Sequence, residues 1–180
     1  MIKSITDTTR LREAYYRVFR SRDPFTPAGQ PGMPVRVILF PTDNYCLTAE
    51  QFQALTSALL DCGEREFFIS EIEVEPDPFD TGDHWVCEEP SFSEYTNLLI
   101  VIENALYSSS ASWGILLSHE LHALLVCRQP FWDAFKKHYP SWKRDQNEFI
   151  ETWHYNEKEL GSDVKWLKPF LAHLTQTVTQ

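Results

Sequence analysis

Three short apolar segments crowd the middle of the chain: Tyr95 to Tyr107, Ser112 to Leu117 and Leu121 to Cys127. Only Ser108 to Ser110 and the polar Ser118, His119 and Glu120 separate them, and serine-rich gaps of this length read as turns. Connections so short join antiparallel neighbours, so the reading is a meander. Val35 to Phe40 (VRVILF) is apolar almost throughout, which suits an inner strand covered on both faces. Glu66 to Glu75 (EFFISEIEVE) ends in alternation, with Ile72 and Val74 on one side and Glu71, Glu73 and Glu75 on the other, predicting a strand with one wet acidic face.

Helical spacing appears at both ends of the chain. Leu11, Ala14, Tyr15, Val18 and Phe19 predict a helix reaching about Arg20, with Ser4 and Asp7 able to cap its start. Thr48 and Gln51 form a capping box ahead of Phe52, Leu55, Leu59 and Cys62, and Gly63 supplies a stop. Phe131, Trp132, Phe135 and Tyr139 mark another helix, broken at Pro140 and followed by Phe149, Ile150 and Trp153. A last stripe, Trp166, Leu167, Phe170, Leu171 and Leu174, must begin near Pro169 or kink there. Asp23 to Pro34 and Pro76 to Ser93 read as long loops, the second with a short extended piece around His84 to Cys87. One-sided elements of both kinds are buried most simply in an α+β fold, a mainly antiparallel sheet of about five strands flanked by N-terminal and C-terminal helices, with residues 1–180 as a single domain.

The net charge of −10 and pI near 5.0 oppose binding to nucleic acid or to anionic membrane, both of which reward lysine and arginine clusters. The charge is uneven: residues 61–103 hold thirteen acids against Arg65 alone, a balance of −12, while the first twenty-two residues are basic. Cys46, Cys62, Cys87 and Cys127 form no C-x-x-C pair, and no apolar run approaches the roughly 20 residues that cross a bilayer. The expectation is reduced thiols in a cytoplasmic protein, with no membrane partner.

Candidate chemistry is incomplete wherever it starts. Ser118-His119-Glu120-Leu121-His122 invites comparison with H-E-x-x-H, but position 123, where that motif needs its second ligand, is Ala123. A metal-dependent hydrolase using His119, Glu120 and His122 is therefore the alternative function, against a plain turn with hydrogen-bonded histidines. Asp77, Asp80, Asp83 and His84 lie close together without the spacing of a calcium loop. G-x-S-x-G and G-x-G arrangements are absent, so neither a nucleophile elbow nor a phosphate loop is written here, and no cofactor is implied.

The acidic stretch is the most distinctive feature. Like charges repeated along one strand face repel one another, a cost that a basic partner relieves, and such a field steers association. The expected function is a non-enzymatic binding protein that meets a basic protein partner through Glu71, Glu73, Glu75, Asp77, Asp80 and Asp83, with Trp85 as an anchor. The segment Ser112-Trp113-Gly114 to Leu121-His122-Ala123-Leu124-Leu125, followed by an aromatic helix, resembles the W-G strand and H-A-L return strand of small bacterial polymorphic-toxin immunity proteins. Cys127-Arg128-Gln129-Pro130 stands where the commoner pattern has a glycine-rich turn. The resemblance implies an acidic cytoplasmic protein that blocks a toxin, often a nuclease with a basic site, and carries over no individual residues.

Overall fold

A computed structural model describes residues 1–174, which build one seven-stranded sheet with helices on both faces. In chain order the elements are β1 (Ile2–Ser4), α1 (Thr9–Val18), β2 (Val35–Leu39), α2 (Ala49–Asp61), β3 (Glu66–Glu71), α3 (Pro78–Thr81) and β4 (His84–Glu88). There follow α4 (Phe92–Thr96), β5 (Asn104–Ser108), β6 (Trp113–Leu117), β7 (Ala123–Cys127), α5 (Gln129–His138), α6 (Trp142–Leu160) and α7 (Leu167–His173). The strand order is β1-β4-β3-β5-β6-β7-β2, and every pairing is antiparallel. The α+β class holds, with two more strands than the sequence suggested.

The additions are β1 and β4. Residues 2–4 do not cap a helix from Ser4; they form a three-residue edge strand on β4, and α1 starts only at Thr9. β4 realises the extended piece expected around His84 to Cys87, while β1 has no apolar pattern of its own and is held by its neighbour. The meander β5-β6-β7 is as expected, although residues 92–96 form α4 and strand structure begins only at Asn104.

Two predicted strands behave differently. β2 is covered on both faces, Val37 packing into one core and Ile38 into the other, but it is the sheet's edge and pairs only with β7. The chain passes this edge on its way from α5 to α6, where buried Asp145 accepts a hydrogen bond from the Tyr139 hydroxyl and a long one, 3.5 Å, from the Phe40 N–H. The crossing blunts a strand edge that would otherwise invite pairing with another chain. β3 is an inner strand between β4 and β5 and ends at Glu71, so Glu71, Glu73 and Glu75 share no strand face. Its alternation serves two cores, Phe67 and Ile69 facing one way and Phe68 the other.

Both faces are buried throughout the meander. Trp113, Ile115, Leu117, Leu125 and Cys127 pack beneath α2, α4 and α5 with Phe52, Tyr95, Phe131 and Phe135. Tyr107, Leu116, Leu124 and Val126 pack beneath α1, α6 and α7 with Tyr15, Phe19, Phe149 and Phe170. Trp113 stacks on Phe131 at a centroid distance of 5.1 Å, and the next residue is glycine for a reason on the opposite face. A Cβ on Gly114 would lie 2.6 Å from two ring carbons of Phe19, so α1 reaches the sheet only because that position has no side chain. Gly114→Ala is expected to cost about 1–3 kcal/mol through overpacking, read from urea midpoints at constant m-value. Adding Phe19→Leu should recover part of the loss, because the two sites are in contact.

Candidate functional site: the acidic end of the sheet

The strand register brings Glu71, His84, Asn104, Leu117, Ala123 and Leu39 to one end of the sheet. Four connections meet those strand ends: 40–48, 72–83, 97–103 and 118–122. Together they carry eight carboxylates, Asp43, Glu73, Glu75, Asp77, Asp80, Asp83, Glu103 and Glu120, and no lysine or arginine. The short connections at the opposite end, 62–65, 89–91, 109–112 and 128, balance Glu64 and Glu89 against Arg65 and Arg128. The acid-rich stretch read from the sequence is therefore divided: Glu71 to Asp83 and Glu103 lie at this end, joined by Asp43 and Glu120, while Asp61, Glu64, Glu66, Glu88 and Glu89 lie at the other.

Each of the residues expected to bind a partner has a definite place. Asp77 caps α3 through the Phe79 N–H and pairs with Arg12 at 3.0 Å, and Asp80 pairs with the same guanidinium at 2.6 Å. Glu75, 79% exposed, has a longer contact of 3.4 Å with Arg22. Glu71 accepts from the Asp83 N–H and Glu73 from the Glu103 N–H, at 3.0 and 3.1 Å. Trp85 is not brought to this group. It packs on the α2 and α4 face, beside Ile2 and Leu98, whereas Arg12 holds Asp77 and Asp80 on the α1 side, where Phe79 enters the other core. The carboxylate of Glu64, in the same acidic stretch of sequence, lies at the far end. There it accepts from the hydroxyls of Ser108, Ser110 and Ser112 and from the Trp113 indole, tying the α2–β3 turn to the β5–β6 turn.

A cleft of about 320 Å³ opens at the acidic end, with Asp23, Glu73, Glu75 and Glu103 around Arg22. Glu103 is almost buried, and burial pushes its carboxyl up; hydrogen bonds from His119, the nearer at 2.7 Å, pull it back down. His119 itself stands on the rim, its other ring nitrogen 3.5 Å from Glu120. His122 is fully buried among Phe25, Phe149, Trp166 and Phe170, with Nε2 3.4 Å from the Pro24 carbonyl. The two rings do not diverge across a strand, since both touch Phe25, but only one reaches solvent. Among the described residues no three His, Cys, Asp or Glu side chains gather as a metal would require. The Asp77 to His84 loop is no exception: His84 turns inward, between the Pro78 carbonyl and the Ser70 hydroxyl.

That inward turn makes a contact the sequence does not announce. Ser70 Oγ lies 2.8 Å from His84 Nδ1 and 2.7 Å from the Tyr107 hydroxyl, three residues far apart in sequence. With Nε2–H donated to Pro78, Nδ1 is left to accept from Ser70, as a general base would. The pair is sealed in the core, so the geometry of a nucleophile and base here joins β3, β4 and β5 rather than meeting a substrate. The cysteines are no better placed, since burial pushes the Cys87 thiol up to about 12 and raises those of Cys46, Cys62 and Cys127.

Two histidines grip the Asp23 to Pro34 loop. His122 donates to the Pro24 carbonyl, and His173 of α7 accepts from the Gly29 N–H at 3.1 Å. Burial pulls both rings down to about 4, His173 also feeling Arg36 and Arg20, and burial lowers His84. A histidine whose folded pKa lies below its unfolded value near 6.5 contributes stability that is present above that pH and lost as pH falls through 4. His122 alone supplies roughly 3 kcal/mol of such pH dependence. Urea midpoints should therefore fall steeply between pH 6.5 and 4, with amide exchange in residues 23–30 rising first. His122→Gln with His173→Gln should flatten that slope even where it lowers stability at pH 7; an unchanged slope would contradict the assignment. No family model, curated protein or solved structure matches the chain.

Proposed function

We propose that this is a non-enzymatic binding protein whose acidic sheet end holds a basic protein partner. The observation that carries this reading is the distribution of charge: eight carboxylates and no lysine or arginine in the four connections at one end, against two carboxylates and two arginines in the short connections at the other. Arg12 and Arg22 come from α1 and the loop behind it and reach Asp77, Asp80 and Glu75. Among the described residues Asp43, Glu73 and Asp83 have no cationic partner, so the field at this end stays negative. A one-signed surface raises the encounter rate with a basic protein and excludes nucleic acid by the same repulsion. The likeness of the Ser112 to Leu125 hairpin to toxin-immunity proteins favours a basic nuclease as the first partner to try.

The test begins with capture from the native host, followed by titration of the purified partner. Asp43→Lys, Glu75→Lys and Glu120→Lys alter exposed rim positions. Together they should weaken binding by roughly tenfold or more at low salt and flatten its salt dependence. Glu89→Lys at the opposite end should do neither. Undiminished affinity with the same salt slope in the triple variant would end this reading.

A further inference from the structure

We propose that Leu99, Val101 and Leu121 are the apolar anchors of this interface, and that its occupant is a protein segment presenting apolar side chains flanked by lysine or arginine. The proposal rests on the binding role above and names the contact within it. These three side chains are 77%, 71% and 42% exposed, and all belong to the connections at the acidic end. The other large exposed apolar residues, Met1, Tyr16, Leu60, Tyr155 and Leu160, are dispersed over other elements, as single surface apolar residues normally are.

Their exposure is built into the backbone. Leu99 and Leu121 have φ of 53° and 58°, a left-handed conformation that costs a side-chain-bearing residue about 1–2 kcal/mol. Leu98, Ile100 and Ile102 turn into the core around α2 and α4, which leaves 99 and 101 facing out. The connection is tied at both sides, by Leu99 N–H to the Thr96 carbonyl and by Asn104 Nδ2 to the Ile102 carbonyl. The Leu121 carbonyl accepts from the Thr42 N–H at 2.8 Å, fixing the 118–122 turn against the 40–48 connection. Leu99 and Leu121 therefore stand in water in a conformation that also strains them, which marks these positions for a use.

Charge selects the occupant. Glu120 adjoins Leu121, and the exposed Asp43 follows Thr42, whose N–H donates to the Leu121 carbonyl. A second copy of the chain would bring two acidic ends together, and an anionic lipid surface would be repelled. A basic, apolar protein segment satisfies both parts, with an apolar centre and a charged rim.

The experiment uses fluorescent peptides of about nine residues, alternating Leu with Arg, Gly with Arg, or Leu with Glu, titrated at about 50 mM salt. The Leu-Arg peptide should bind at least roughly tenfold more tightly than Gly-Arg, and Leu-Glu should not bind. Leu99→Ser with Val101→Ser, and Leu121→Ser, should reduce Leu-Arg to the Gly-Arg level, while Leu60→Ser leaves it unchanged. Urea unfolding of each variant checks that the fold is intact. Equal binding of both arginine peptides, untouched by the serine variants, overturns the anchors but leaves the acidic surface standing. No binding of either arginine peptide, or equal binding of Leu-Glu, overturns both.

Discussion

Helix packing on both faces of the sheet is the constraint from which the rest follows. The fifteen residues of β5, β6 and β7 are all buried, so every position must fit a neighbour whichever way it points. Large and small residues alternate accordingly: Trp113 fills the space beneath Phe131, and Gly114 makes room for Phe19 on the reverse side. Interiors are packed like organic crystals, so little of this can be exchanged piecemeal. A sheet covered on both faces offers no face to a ligand. What remains available is its ends, where the connections emerge, and there the two ends differ in charge.

Two-sided burial also encloses polar groups, and each has to be paired inside. Ser70, His84 and Tyr107 satisfy one another between the core and the Pro78 carbonyl. Asp145 and Tyr139 do the same where the chain rounds the β2 edge, with Gln51 Nε2 donating to the Pro41 carbonyl beside them. Such networks are sensitive to protonation, because a buried imidazole that gains a proton loses an acceptor and gains a charge. The acid sensitivity expected of this protein follows from its architecture and is concentrated where His122 and His173 hold the proline-rich loop.

What was legible in the sequence was local. The capping box of Thr48 and Gln51 is present with both hydrogen bonds, because its partners lie three residues apart. The meander was legible because its turns are short. β1 was hidden, since nothing in Ile2–Ser4 declares that Val86 and Trp85 will lie beside it. The alternation of Ile72 and Val74 with glutamates was misleading for a physical reason. The inner strand ends at Glu71, and Ile72 N–H turns to the Glu103 carbonyl, which scatters the glutamates that a longer strand would have aligned. The acidic surface was thus visible as composition, but its assembly from four connections, including Asp43 and Glu120, is set by register. Leu99, Val101 and Leu121 read from the sequence as strand residues, because an apolar residue beside apolar neighbours looks like core until the backbone shows which way it faces.

How carboxylates are held decides whether their charge survives. An arginine partner cancels charge, while a backbone N–H stabilises the ionised form and leaves it in place. At the acidic end both devices occur: Arg12 and Arg22 quiet Asp77, Asp80 and Glu75, while Glu71 and Glu73 are fixed by amide donors alone. Arginine is spent where α3 must dock on α1, since Asp77 caps α3 and Phe79 enters the core beside Tyr15. Glu71 and Glu73 are thus oriented without being neutralised, and the same end carries the exposed Leu99 and Leu121 in a left-handed backbone conformation. A surface kept only for solubility needs neither fixed carboxylates nor strained apolar side chains, and this is the ground on which recognition of something basic and apolar is proposed.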